Sequence, residues 1–116
     1  MNRFLLAALL LAPLPTLAQS PDQSATDMLG DMLTDPISAQ YTFLPQAHGG
    51  VEDKTGWFVC GVLNAKDGRG KYAGETMFIV SFGDDRDGPA IGAAIDDIGQ
   101  TTVARWCANL YSKVSQ

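Results

Sequence analysis

Trp57–Ala65, which reads WFVCGVLNA, is the longest apolar run outside the N-terminus, and the predicted fold is organised around it. Because successive side chains of a strand point to opposite faces of a sheet, each face of this stretch can be predicted. One face carries Phe58, Cys60 and Val62, and the other carries Trp57, Val59 and Leu63. Both faces are apolar, so the pattern predicts a central strand that is covered on both sides.

Other strands are predicted around this central one. Residues 40–44 alternate between apolar and polar side chains, and residues 76–82 form a second strongly apolar strand. Residues 90–95 are rich in glycine and alanine and are interpreted as a weaker edge strand. Residues 46–55 contain two adjacent glycines and are predicted to be a mobile loop. The pattern therefore favours an antiparallel sheet of three or four strands.

One helix is predicted before the sheet and one after it. From Ser24, an N-cap candidate, apolar residues follow at helical spacing until Asp35-Pro36 ends the helix. Residues 101–114 show the clearer pattern, with an apolar stripe at spacings of three and four. Its members are Val103, Trp106, Cys107, Leu110, Tyr111 and Val114. The predicted fold class is α+β, with the first helix or a partner covering the sheet face that the last helix leaves open.

Cys60 and Cys107 are the only cysteines of the chain. In a small exported domain such a pair is most simply a disulfide, and the alternative is two buried free thiols. The predicted bond would attach the last helix to the face of the central strand that carries Phe58 and Val62.

The first residues predict export. Arg3 precedes an apolar run that is too short to span a membrane, and Thr16-Leu17-Ala18 resembles a signal-peptidase site. We expect residues 1–18 to be a signal peptide, residues 19–23 a disordered lead-in, and residues 24–116 one small domain. The predicted location is the periplasm or the medium, without a membrane anchor.

The charge of the chain narrows the choice of partner. The formal net charge is −5, with 13 acidic residues against 8 lysines and arginines. An acidic protein is repelled by phosphate backbones and anionic lipid surfaces, so the composition argues against nucleic acid as the main partner.

The segment Lys66–Gly74 is the candidate partner-binding loop. Within six positions it holds Lys66, Arg69 and Lys71, and the aromatic Tyr72 lies beside them. Its glycines also resemble those of a phosphate-binding loop, but such loops lead into a helix and here a strand follows. A hairpin is therefore the favoured interpretation.

Catalytic and metal sites are weakly indicated. Asp84, Asp85 and Asp87 suggest a calcium loop, yet Gly83 and Ala94 occupy positions where carboxylates are needed, so a solvated turn is favoured. A Cys60 nucleophile with His48 as base conflicts with the predicted disulfide. No catalytic residue, metal or cofactor is predicted.

Two segments carry a resemblance to a group of small exported bacterial proteins of unknown function. The first is Asp35–Tyr41, which is similar to Asp-Pro-x-Ser-Ala-x-Phe. The second begins at Cys60, resembles Cys-Gly-x-Val-Asn-Ala-Lys-Asn, and continues toward a Gly-Gly-Tyr-x-Gly segment and Phe78. Asp67 stands where the group has asparagine, and Arg69-Gly70-Lys71 interrupts its glycine run. The resemblance implies an exported α+β domain and implies no activity.

The functional prediction is a non-catalytic module that binds an envelope protein or a cell-wall component. One alternative is a periplasmic inhibitor or immunity protein, which small size and acidity suggest. Another is an envelope hydrolase or its accessory domain, with carboxylates such as Glu75 or Asp84 as catalysts.

Overall fold

The structure, a computed structural model, describes residues 21–97 and 99–114 and confirms the α+β class. The elements follow one another as α1 Pro21–Gly30, β1 Asp35–Phe43, β2 Ala47–Val51, β3 Lys54–Lys66, β4 Thr76–Gly83, β5 Gly92–Ile95 and α2 Thr102–Val114. All pairings in the sheet are antiparallel. Neither described helix is long and apolar enough to cross a membrane.

Strand β3 is the central strand, as its apolar pattern predicted. The sheet order is β1-β3-β4-β5, and β2 also pairs with β3. Along one edge of β3, β2 pairs with residues 54–58 and β1 with residues 61–66; β4 pairs with the other edge. Since both edges are occupied, β3 is held along almost its whole length.

Each face of the sheet has its own core. The face below α1 gathers Ala25, Leu29, Val59, Leu63, Phe78, Val80 and Phe82. The face below α2 gathers Phe58, Cys60, Ile79, Val103, Cys107 and Leu110. The predicted division of the β3 side chains is confirmed, and α1 covers the face that α2 leaves open. Two thin cores, rather than one thick one, share the burial of apolar surface in this small domain.

The disulfide between Cys60 and Cys107 is present and joins β3 to α2, with the two Cα atoms 6.1 Å apart. Cys60 is fully buried and Cys107 is 3% exposed. The bond therefore lies inside the α2 core and attaches the helix at the middle of its apolar stripe, as predicted.

A second attachment of α2 was not predicted. Between the β2 and β1 pairings, the backbone N–H of Cys60 has no strand partner, and it donates a hydrogen bond to the Tyr111 hydroxyl oxygen at 3.0 Å. The Tyr111 hydroxyl in turn donates to the carbonyl oxygen of Pro45 at 2.6 Å. One side chain thus fills the gap where the neighbouring strand changes from β2 to β1.

Asp96 begins α2. Its carboxylate accepts hydrogen bonds from the backbone N–H groups of Val103 at 2.9 Å and Ala104 at 3.0 Å. These N–H groups have no partner within the helix, and a negative charge is favourable at this end of the helix dipole. The Asp96 carboxylate therefore caps the first turn of α2.

Several boundary predictions were wrong. Residues 47–51 form strand β2 rather than part of a mobile loop, so the described part of the chain has five strands instead of three or four. A Cβ added at Gly49 would lie 2.8 Å from Leu110, so this glycine lets α2 approach the strand closely. A turn-like composition here serves packing, which is why local sequence rules misassigned it.

The other errors concern the N-terminal region, where α1 ends at Gly30 rather than at Asp35-Pro36. Helix α1 begins at Pro21, so residues 21–23 are helical rather than disordered. Ser24 lies inside the helix and is buried, and its hydroxyl accepts a hydrogen bond from the Ala90 N–H instead of capping α1. Strand β1 begins at Asp35, five residues before the strand predicted over residues 40–44, with an irregular register in that part. The predicted signal peptide and residues 19 and 20 lie outside the described residues.

Candidate functional site

The predicted partner-binding loop, residues 66–74, connects β3 to β4 at one end of the sheet. The two strands are antiparallel neighbours, so the connection is a hairpin rather than the strand-to-helix turn of a phosphate-binding loop. Lys66 and Tyr72 face each other across the base of this loop in an isolated antiparallel bridge.

Asp67 organises the tip of the loop. Its carboxylate oxygen Oδ1 accepts hydrogen bonds from the backbone N–H groups of Arg69 at 2.8 Å and Lys71 at 3.2 Å. Its own N–H donates to the Lys71 carbonyl oxygen, and its carbonyl oxygen accepts from Gly70. Gly70 has a φ of 79°, in the region that glycine adopts without strain. The backbone that carries Arg69 and Lys71 is therefore held in one conformation.

Tyr72 ties the loop to strand β1. Its hydroxyl donates a hydrogen bond to the Ser38 carbonyl oxygen at 3.0 Å, while 45% of the residue is exposed. The Lys66 ammonium nitrogen lies 5.6 Å from the centre of the Tyr72 ring, within the range of a cation–π contact. Ser38 also accepts the Lys66 N–H through its hydroxyl oxygen at 2.8 Å.

Asn64 closes the other side of the loop. Its side-chain oxygen accepts a hydrogen bond from the Gly74 N–H at 3.0 Å, and the Ala73 N–H donates to the Ala65 carbonyl oxygen. Asn64, Asp67 and Ser38 were not predicted as site residues. The available signal was chemical, because short polar side chains beside glycines commonly hydrogen-bond the backbone of a turn.

The four predicted loop residues have two different roles. Lys66 is partly buried and contacts the Tyr72 ring, so these two form the base of the loop. Arg69 and Lys71 are exposed at the tip. The carboxylate of Asp67 lowers the positive charge of the tip, but its Oδ1 atom faces the loop backbone. The arrangement can present two cations and a phenol ring to another molecule.

A cavity of about 310 Å³ lies at the base of the loop, between the α1–β1 connection, the end of β3 and the connection that follows β5. Leu33, Leu63 and Ile95 give it apolar walls, while Asp67 and Asp97 contribute carboxylates. A partner that contacts the loop would find an apolar recess beside it.

The catalytic arrangements weighed from the sequence do not come together. The Cys60 sulfur is bonded to Cys107, and His48 lies on the opposite sheet face with its ring 5.2 Å from the Trp57 ring. Glu75 and Asp84 lie beyond opposite ends of β4, about 30 Å apart at roughly 3.4 Å per residue, so they do not form a carboxylate pair with each other.

The aspartate-rich turn after β4 is held by its own backbone. Asp85 Oδ1 accepts the Asp87 N–H at 3.2 Å, and the Asp85 carbonyl oxygen accepts the Gly88 N–H. Within residues 21–97 and 99–114, no group of three or more His, Cys, Asp or Glu side chains is gathered as a metal ion would need.

Apart from Tyr72, the described Phe, Tyr and Trp residues are buried or partly buried rather than forming an open stacking surface. Tyr41, Phe43 and Phe78 form one cluster, with ring centres 5.3 to 6.2 Å apart. The Trp57 ring is flanked by His48 and by the Arg86 guanidinium, 5.4 Å from the ring centre. Tyr72 is the aromatic residue that the candidate loop offers to a partner.

Comparison with known proteins adds no assignment: no family model, no curated protein and no solved structure matches this chain. Function must therefore be argued from the site itself.

Proposed function

We propose that this protein is a non-catalytic binding module that presents the loop Lys66–Gly74 to an acidic surface of a macromolecular partner. The observation that carries the proposal is the fixed loop backbone, which Asp67, Asn64 and Ser38 hold from three sides. The partner would be an envelope protein or a cell-wall component, met in the periplasm or the medium.

The proposal rests first on preorganisation. Ordering a flexible side chain at an interface costs roughly 0.5–1.5 kcal/mol, and ordering a loop backbone costs more. Here the backbone is ordered before a partner arrives, so binding would immobilise only the exposed side chains of Arg69 and Lys71. Tyr72 is already held by Ser38.

The chemistry of the loop supports the same proposal. Arginine and tyrosine are enriched among the residues that dominate interface energies, and an arginine can bind a carboxylate through two parallel hydrogen bonds. The disulfide fits an oxidising compartment, where acidic cell-wall polymers and exported proteins are the accessible macromolecules.

The test compares two variants with equal loss of positive charge. In Arg69→Ala/Lys71→Ala/Tyr72→Ala the loop loses its exposed groups; in Arg86→Ala/Arg105→Ala two exposed cations outside the loop are removed. Each protein is immobilised and incubated with an envelope extract or with purified peptidoglycan. We expect recovery of the partner to fall roughly tenfold for the loop variant and to stay unchanged for the control variant.

Tyr72→Phe separates contact from rigidity. This variant keeps the ring and loses the hydrogen bond to Ser38, so preorganisation predicts a measurable loss of recovery that is smaller than in the triple variant. Equal recovery by the wild type and the triple variant in both extract and peptidoglycan would refute the proposal.

A further inference from the structure

A groove on the α2 face of the sheet lies far from the loop. It is a cavity of about 380 Å³, which we call the Trp106 groove after the side chain on its α2 side. Phe58, Ile79, Ser81 and Ala94 lie on its sheet side, and the β2–β3 turn, residues 51–54, forms another wall. Side chains shorten toward β5, where Gly92 and Ala94 leave space beneath the helix.

The groove reaches the edge of the sheet at β5. The Asp96 N–H donates to the Met77 carbonyl oxygen at 2.9 Å, which makes Met77 and Asp96 a hydrogen-bonded pair. Hydrogen-bonded and non-bonded pairs alternate in an antiparallel ladder, so the backbone groups of Ala93 and Ile95 point away from β4. No described strand pairs with this outer edge of β5. Such an edge can accept an added strand.

The rim of the groove is acidic. Glu52 and Asp53 form the two-residue turn between Val51 and Lys54. Glu52, Asp53 and Lys54 all line the groove and are exposed. The turn after β4 lies at the same end of the sheet. It contributes three carboxylates, from Asp84, Asp85 and Asp87, and one cation, Arg86. Carboxylates therefore outnumber cations at this end, beside a tryptophan ring that can also attract a cation.

Glu52 occupies its position at a conformational cost. Its φ of 56° lies in the left-handed region that a side chain with a Cβ atom rarely adopts. Glycine or asparagine would suit this turn position better. The glutamate at this position places a carboxylate at the groove rim.

We propose that the Trp106 groove binds a basic, extended peptide segment of a partner protein. The segment pairs with the outer edge of β5 as a sixth strand. A lysine or arginine side chain on its α2 face extends over Ala94 toward Trp106 and the carboxylates of Glu52 and Asp53. Apolar contact with the groove and the excess of carboxylates select a cationic side chain with a long aliphatic stem.

The primary test uses short end-capped peptides as probes. One alternates lysine and valine, a second replaces each lysine by glutamate, and a third keeps the lysines but has a central proline that cannot donate to a strand. Trp57→Phe leaves Trp106 as the only tryptophan, so its fluorescence reports on the groove. At about 0.15 M salt we expect saturable binding of the first peptide and roughly tenfold weaker binding of the other two.

Variants locate the binding. Glu52→Gln/Asp53→Asn should weaken the lysine–valine peptide roughly tenfold, while Asp31→Asn/Glu75→Gln, with the same charge change at exposed sites outside the groove, should leave it unchanged. Equal weakening by both pairs, or equal affinity for the proline peptide, would show non-specific attraction to an acidic protein and overturn the proposal. Self-association through β5 without peptide binding would also overturn it.

The groove and the loop can be tested separately. They lie toward opposite ends of β3: Phe58 of the groove and Lys66 of the loop are eight residues apart along the strand, about 26 Å at roughly 3.3 Å per residue. The variant Arg69→Ala/Lys71→Ala/Tyr72→Ala should therefore bind the lysine–valine peptide like the wild type, whichever way the loop proposal is decided.

Discussion

Two tyrosine hydroxyls of this protein have opposite surroundings. The Tyr111 hydroxyl serves both the Cys60 N–H and the Pro45 carbonyl oxygen. The Tyr41 hydroxyl oxygen is buried and has no hydrogen-bond partner among the described residues. Since an unpaired buried polar group costs free energy, the same loss of an oxygen atom should have different effects at the two positions.

Tyr111→Phe should lower the free energy of unfolding by about 1–3 kcal/mol, because the Cys60 N–H is then buried without an acceptor. Tyr41→Phe removes an oxygen without a partner and should be neutral or stabilising by up to about 1 kcal/mol. Urea unfolding of the two variants and the wild type measures both effects. Equal destabilisation by the two substitutions would contradict the argument.

The stability of the protein at alkaline pH should also depend on Tyr111. Burial raises the pKa of Tyr111 above its ordinary value, and the hydrogen bond from the Cys60 N–H lowers it by less; burial also raises the pKa of Tyr41. The folded protein holds these phenolic protons more tightly than the unfolded chain, so their contribution to stability is complete below about pH 10 and is lost as the pH rises further.

The expected measurement is a melting temperature that falls above about pH 10, with a shallower fall in Tyr111→Phe than in the wild type. The comparison cancels the effects of lysine deprotonation, which both proteins share. Parallel curves for the wild type and the variant would show that ionisation of Tyr111 is not coupled to unfolding.

At the scale of the element, the start of α2 depends on one carboxylate. Asp96 is 8% exposed and pairs with two backbone N–H groups, while its neighbour Asp97 is exposed. Asp96→Ala should destabilise the protein by about 1–2 kcal/mol, as the loss of helix caps does elsewhere. Asp97→Ala should change the stability by less than about 0.5 kcal/mol. Chemical denaturation of both variants checks the contrast, and similar effects at 96 and 97 would refute the assignment.

An element was predicted correctly where the spacing of its own apolar residues reflects burial, and it was missed where contacts with distant residues determine its structure. Strands β3 and β4 and helix α2 were predicted because their apolar spacing reflects burial directly. Strand β2 was missed since Gly49 and Gly50 look like a turn, and only the approach of Leu110 explains a glycine there. The start of α1 was missed because it lies among polar residues.

The sequence predicted which residues form the candidate site, but it did not predict the contacts that position them. Clustered charge indicated Lys66, Arg69, Lys71 and Tyr72, all within seven positions. The contact from Tyr72 to Ser38 spans 34 positions and depends on β1 pairing with β3. The Trp106 groove was not predicted at all, because β2, β3, β4, β5 and α2 each contribute to it.

At the scale of the whole molecule, the disulfide joins the last helix to the centre of the sheet across 47 positions. In the chain-entropy treatment, closing a loop of this length stabilises by about 4 kcal/mol, a large share of the total for a small domain. Cys60→Ser/Cys107→Ser should therefore lower the free energy of unfolding by roughly that amount, measured in urea under oxidising conditions.

Wild-type protein treated with a reductant serves as the control, because it loses the bond and keeps both sulfur atoms. Tyr111 should keep α2 near the sheet in both proteins, so helical circular dichroism should persist below the unfolding transition. A loss of less than about 1 kcal/mol would mean that packing, and not the bond, determines how α2 is attached.

The amino-acid sequence by itself determined the class of the fold, the central strand, the division of β3 into two buried faces and the pairing of two cysteines. The first three features follow from the apolar periodicity of short segments. The cysteine pairing follows because the chain contains only two cysteines. Three features became apparent only in the tertiary structure: Gly49 and Gly50 belong to a strand, Tyr111 fills the gap between β1 and β2, and a groove opens beside Trp106. Each of these depends on contacts between elements distant in sequence, whose geometry is set by how the sheet and helices pack together.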